Sequence, residues 1–384
     1  PGVRAIFDAL AFDGRPRKLE NLSADDLAYA DRALLTPLLA RLELPPAARE
    51  HVDGVLKRNT IRCERIASAY EEFAGRFDHV VLKGFSHVPD FVQERRLRTQ
   101  YDIDLYVRPP HATAWNTLLA LGYEPIHGIE RLAADHFPTL VRKTGWQWRG
   151  DFYDPDLPPS IEVHFQFWDE QTEKLHADGV EEFWMRREAR GLALPDRLGY
   201  AALHLTRHLL RGNLRPLHIW ELANFLNSHG DPEFWRTWRV LHSPNLRRIE
   251  AVAFLLAKTW FAPSMPEEPA REIAALPRKV HRWFDLYPWS PVEDLPNKHE
   301  LWLHLSLLDS ALDRAKVLRR RLIPAAIPGP VDAVHIPEEK MTRVRRVRRL
   351  ARNVFYMLSR AAHHARVLIP TFWEGCRWTW RSRR

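Results

Sequence analysis

Residues 79–107 read HVVLKGFSHVPDFVQERRLRTQYDIDLYV. Two short runs rich in β-branched residues, HVVLKG and DIDLYV, are bounded by polar clusters, which is the pattern of strands entering a core. The second run opens with two aspartates one residue apart. In a strand, residues i and i+2 share a face at a spacing of about 6.5–7 Å. Asp102 and Asp104 therefore project side by side, while Ile103, Leu105 and Val107 turn the other way into the core. Two carboxylates at the mouth of a buried strand repel each other and lose hydration, which costs stability unless a cation joins them. A hard divalent ion such as Mg²⁺, which prefers oxygen ligands and keeps some of its water, answers that need.

Acid-x-acid spacing also arises by chance. Asp154-Pro155-Asp156 has it within a proline-rich loop and reads as solvated surface. Context separates the two cases. A glycine-containing turn, LKGFS, follows the first strand, and a later alternating segment, SIEVHFQFWD, presents a third carboxylate, Glu162, between Ile161 and Val163. Three acids on apolar strands suit a pair of metal ions about 3.5–4 Å apart, which can clamp the attacking and leaving oxygens of a phosphoryl transfer.

Around this centre the period is helical. SADDLAYADRALLTPLLARLEL has Ser23 as an N-cap and acids in its first turn, and PAAREHVDGVLKRNTIRCERIASAYEEFA continues as a long amphipathic helix. DRLGYAALHLTRHLLRGNLRPLHIWELANFLNSHG predicts two helices joined near RGNLRP. The fold class expected is α+β: a small mixed sheet with flanking helices. The chain of 384 residues favours two or three domains. It divides into a helical region 1–76, a sheet-bearing core 77–170, a helical domain 171–312 and a basic, aromatic segment 313–384, with a proline-rich linker at 323–340.

Only Cys63 and Cys376 occur, which excludes a disulfide framework and a cysteine-rich zinc site and fits a reducing cytoplasm. No signal peptide and no uncharged apolar run of membrane-spanning length is visible. The chain begins at Pro1, so the natural start stays open. The net charge of +8 is uneven: residues 313–384 carry 18 Lys and Arg against 5 Asp and Glu, which leaves residues 1–312 net negative. RVRRVRRLARNVFYML would form a helix with one apolar stripe through Val344, Val347, Leu350 and Val354 and a dense arginine face, followed by Trp373, Trp378 and Trp380. Such a segment either forms a solvated face or docks to an anionic partner, whether membrane surface, nucleic acid or another polyanion. A cytoplasmic protein is expected, with a peripheral membrane association left open.

A glycine turn, a D-h-D strand (h, hydrophobic) and a third acidic strand resemble the DNA polymerase β-like nucleotidyltransferase superfamily. VLKG, Arg98, DIDLYV and IEVHF, followed by LHLTRHLLRGNLRPLHIWELANFL, resemble more closely its bacterial group of uncharacterised nucleotidyltransferases, over about residues 75–310. Members are often encoded near exopolysaccharide or peptide natural-product genes. The resemblance implies Mg²⁺-dependent (or Mn²⁺-dependent) transfer of a nucleotidyl group from an NTP to an acceptor hydroxyl or phosphate on a sugar, small molecule, modified peptide, tRNA or protein. It implies that Asp102, Asp104 and Glu162 bind metal and carry catalysis, with Glu162 also helping to deprotonate the acceptor. Lys83, Gly84 and Ser86 would form the phosphate-binding turn, with Arg98 near the phosphates. The chain departs from the superfamily in having Lys83-Gly84 where Gly-Ser is common, and Asp102 stands eighteen residues after the glycine. The longer loop, with Pro89 and ERRLR, reads as a mobile flap.

His204 and His208 stand at i and i+4 on a helix, a spacing that can bind zinc, but Leu205 replaces the glutamate of H-E-x-x-H, and packing is the simpler reading. The resemblance adds a third option: His204, His208 and Glu221 forming a polar cluster at the active cleft. His164, two residues after Glu162, shares its face and either touches substrate or orients a carboxylate. Two alternatives to nucleotidyl transfer remain open: a peptide natural-product tailoring enzyme using the same metal site, and a non-catalytic nucleotide-binding module.

Overall fold

Strands β1 (Val80–Val81), β2 (Asp102–Tyr106), β3 (Glu124–Pro125), β4 (Leu140–Val141) and β5 (Ser160–His164) form one mixed sheet in the order β1-β2-β5-β4-β3. The computed structural model describes residues 2–14, 18–126, 135–293, 298–323 and 342–382. The proline-rich linker expected at 323–340 lies outside them except for Ile323. The α+β class is observed: a nucleotidyltransferase-type sheet core with helical flanks.

The sheet's centre is the parallel pair β2–β5, in which Ile103 faces Ile161, Asp104 faces Glu162 and Leu105 faces Val163. β1 and β4 pair antiparallel on either side, and β3 closes the β4 edge. Alternation explains the two faces. Ile103, Leu105, Ile161 and Val163 are buried with Phe73, Leu118, Tyr123 and Leu140 in a core of the sheet's own. The opposite face carries the acids. β4 is two residues long and gives no periodic signal in the sequence.

The long helix Pro46–Glu71 packs behind the sheet and ties down the segment that leads into β2. Asn59 Nδ2 donates to the carbonyls of Arg96 and Arg98 at 2.8 and 3.1 Å. Arg62 is fully buried; its Nε donates to the Gln100 carbonyl at 2.7 Å, and its Nη1 to the carbonyls of Asp154 and Leu157. The segment expected to be a mobile flap is thus fastened through its backbone carbonyls, and residues 95–97 form a single 3₁₀ turn.

Helix Ala24–Ala33 begins at Ser23 with a capping box to Asp26. The first helix, Gly2–Leu10, packs Phe7 against Trp260, Phe261 and Trp289. The N-terminal region therefore shares a core with the helical region rather than packing as a unit of its own. The two helices expected around RGNLRP are Leu194–Arg211, ended by Gly212 at φ +71°, and Pro216–Ser228. Both pack on helix Pro244–Phe261 and close over the acidic face of the sheet.

Candidate active site

β2 presents Asp102 at its mouth, partly exposed, and Asp104 one step deeper, with its side chain only 1 % exposed. β5 brings Glu162 beside Asp104. His164 follows on the same face, with Nε2 3.4 Å from Asp104 Oδ1 and 3.8 Å from Glu162 Oε2. Asp104, Glu162 and His164 each offer one ligand atom within 4.8 Å of the others.

Lys83 completes the floor. Gly84 has φ +82°, and a Cβ there would come within 2.2 Å of Gln100 Nε2, so the turn admits only glycine. Gln100 in turn donates to the Asp102 carbonyl at 2.7 Å, which couples the turn to the start of β2. This arrangement aims Lys83 Nζ between the two aspartates, 3.6 Å from Asp102 Oδ2 and 3.1 Å from Asp104 Oδ1. It also donates to His204 Nε2 at 3.2 Å.

Burial alone would raise the Asp104 pKa; the Lys83 ammonium and His164 outweigh it and hold Asp104 below the ordinary carboxylate range. Glu162 is pushed the other way, by burial and by the charge of Asp104. Burial opposes the Lys83 ammonium, but Asp102, Asp104 and Glu162 raise its pKa above the ordinary value. The floor is therefore a charged cluster in which one ammonium serves several acids.

The roof comes from the helical pair. His204, Arg207, His208 and Arg211 occupy one face of helix Leu194–Arg211, and Asn213, Arg215 and His218 follow from the turn and the next helix. His204 stacks on His218 with centroids 5.2 Å apart. Burial, then the charge of Lys83, lowers the His204 pKa well below the usual imidazole value. His208 is lowered by burial and Arg207, and His218 by burial, so the three rings are neutral at pH 7. A neutral imidazole at His204 is what allows it to accept from Lys83. Arg207 pairs with Asp135, and Arg211 donates to Glu173 at 2.6 Å.

Lys83, Asp102, Glu162, His204 and His208 meet in one cleft, with Asp104 and His164 buried beneath it. Gly84, Ser86, Arg98 and Glu221, also named in the sequence reading, do not line it. Arg98 Nε donates to Glu221 Oε1 at 2.6 Å in a buried ion pair that His87 also joins, which places both Arg98 and Glu221 behind the wall. The Ser86 hydroxyl is buried without a hydrogen-bond partner among the described residues. Asp135, His136, Arg207, Arg215 and His218 line the cleft and were not singled out from the sequence. For Arg207 a signal exists, since it shares a polar stripe with His204, His208 and Arg211 at helical spacing; Asp135 and His136 carry none.

A divalent cation suits these residues on two counts. The donor set is mainly carboxylate oxygen, as hard cations prefer. Asp104 Oδ2 is buried and has no hydrogen-bond partner among the described residues, an orphaned anionic oxygen that a metal ligand bond would satisfy.

Residues 31–262, more than half of the chain, match the family described as uncharacterised nucleotidyltransferase. The chain belongs to this family. No curated protein and no solved structure matches it. The family match starts within helix Ala24–Ala33 and runs to the end of helix Pro244–Phe261, so it takes in the acidic floor and the basic roof together. Membership of this nucleotidyltransferase family makes the protein a transferase whose chemistry is nucleotidyl transfer.

Proposed function

We propose that the cleft transfers a nucleotidyl group from a nucleoside triphosphate to an acceptor hydroxyl or phosphate, with Mg²⁺ or Mn²⁺ held by Asp102, Asp104 and Glu162. The observation that carries this reading is the orphaned Asp104 Oδ2 in a floor where β2 and β5 set Asp104 opposite Glu162. When bound, the metal neutralises charge on the triphosphate and polarises the α-phosphorus. In the reaction the acceptor oxygen attacks that phosphorus, its bond to the bridging oxygen breaks, and pyrophosphate leaves.

The chain's own residues position and neutralise the reactants, as phosphoryl chemistry requires. Lys83 stands between the aspartates and the roof, where it reaches both the carboxylates and an incoming phosphate. Arg215 faces the cleft, and its guanidinium lies 5.4 Å from the centre of the Tyr101 ring. No carboxylate pairs with it among the described residues, so it is the roof cation available to the triphosphate. Glu162 takes the acceptor's proton. His164 holds the buried side of Asp104, and His136, 4.0 Å from Glu162, steadies the second carboxylate.

Incubation with each labelled NTP, Mg²⁺ or Mn²⁺ and a cell extract, followed by mass spectrometry of labelled products, tests the reading and names the acceptor. A metal-dependent nucleotide adduct is expected. Absence of any adduct or pyrophosphate release with all four NTPs would remove the proposal.

A further inference from the structure

Helix Arg343–Arg381 lies outside the family match and spans about 58 Å at 1.5 Å per residue. One face of its C-terminal half is docked. Val367, Thr371 and Trp378 are buried, Gly375 packs so closely on Trp302 that a Cβ would come within 2.6 Å of the ring, and Tyr287 donates to Glu374. Further back, the helix touches the body through His364, whose Nε2 is 2.7 Å from the Leu322 carbonyl.

The opposite face is apolar and open. Val347, Leu350, Phe355, Leu358, Phe372 and Trp373 are each at least 64 % exposed. At 3.6 residues per turn these six fall within an arc of about 140°, centred roughly opposite Val367, Thr371 and Trp378. The stripe therefore runs along both the free and the docked halves of the helix and takes no part in the fold. Arg348 and Arg366 are exposed at its edge.

Large side chains exposed in a continuous stripe call for a cover. Nucleic acid would neutralise the arginines and leave aliphatic and aromatic groups in water. A second copy of the helix would cover the stripe but, with Glu374 as the single acid of the helix, would offer its many arginines almost no counter-charge. A bilayer of anionic phospholipid satisfies the stripe and its edge at once, with the apolar side chains at the acyl boundary and the guanidinium groups of Arg348 and Arg366 on headgroup phosphates. Among the described residues no helix is long and apolar enough to cross a membrane.

We propose that the Arg343–Arg381 helix docks the enzyme onto an anionic phospholipid surface. The helix lies in the plane of the interface, and the body is carried on its other side.

The test is co-sedimentation of the full chain with vesicles of phosphatidylcholine alone and with phosphatidylglycerol added, at low and high salt, with RNA binding measured in parallel. Strong binding to the anionic vesicles is expected, at least about tenfold weaker for neutral vesicles and weakened by salt. The double substitution V347D/L358D, at exposed positions that leave the body's core untouched, is expected to lower vesicle binding at least about tenfold with an unchanged circular dichroism melt. The proposal is overturned if the anionic vesicles are not bound, or if V347D/L358D binds them as well as the unaltered chain, since the arginines alone would then suffice. It is also overturned if the unaltered chain is a dimer that V347D/L358D dissociates while neither form binds lipid.

Discussion

Asp104 on β2 stands directly across from Glu162 on β5, and the two carboxyl groups are driven in opposite directions, Asp104 held ionised by Lys83 and His164 while Glu162 is raised by burial and by Asp104 itself. Parallel pairing creates this relationship, because residues in register on adjacent strands share a face. Pairs of carboxyl groups with environments that push their titrations apart are found where two different tasks are performed.

Asp104→Asn should reduce turnover by about a thousandfold or more, since the substitution removes an anionic ligand at the reaction centre. The melting temperature should fall by a few degrees, because Lys83 then loses its shortest carboxylate contact and keeps Asp102 and the charge of Glu162. Pyrophosphate release and a thermal melt on the same sample check both effects. Full turnover in the folded variant would take Asp104 out of the chemistry.

Lys83→Ala should raise KM for the triphosphate and lower kcat by about an order of magnitude or more, as a phosphate clamp acts in both the ground and transition states. Without Lys83, Asp102, Asp104 and Glu162 lose their shared ammonium. Adding Mg²⁺ should therefore raise the melting temperature of Lys83→Ala more than that of the unaltered chain. Equal shifts would show that cation and ammonium do not serve the same carboxylates.

Arg98→Ala and Arg215→Ala should separate structure from substrate binding. Arg98→Ala leaves Glu221 buried without its guanidinium, a loss of about 3–5 kcal/mol in stability. Arg215→Ala should leave the melt nearly unchanged and raise KM for the triphosphate. The reverse pattern, a stable Arg98→Ala with weakened nucleotide binding, would move the phosphate site to the other side of the wall.

Stability should fall as pH rises through about 9. His242 is fully buried, with Nδ1 2.8 Å from Glu250 and Nε2 3.2 Å from Asp196, and Asp196 also accepts from Arg186. Burial opposes its charge, but Glu250 and Asp196 outweigh it and raise its pKa to about 9. A folded-state pKa above the unfolded value contributes stability that is fully present below the unfolded pKa near 6.5 and is lost as pH passes the folded one. The contribution is on the order of 3 kcal/mol. Thermal melts between pH 6 and 10 should decline over that window, and His242→Gln should flatten the decline.

How much of this was legible in the sequence can be followed residue by residue. Strand period is local, so the shared face of Asp102 and Asp104 and the inward turn of Ile103 and Leu105 follow from DIDLYV alone. Ser23 with Asp26 announces a helix start, and RGNLRP a break between helices, for the same reason: caps and turns use neighbouring backbone. The linear chain does not say which strand lies beside β2, because Glu162 reaches Asp104 only through a pairing across nearly sixty residues. Nor does it distinguish Arg98 from Arg215. Both are arginines in polar surroundings, and only packing sends one into an ion pair with Glu221 and leaves the other facing the cleft. The arginine-rich helix divides in the same way. Its amphipathic period is written in the residues, whereas the docking of Val367, Thr371 and Trp378, which leaves the opposite stripe uncovered, is decided by the shape of the body it meets.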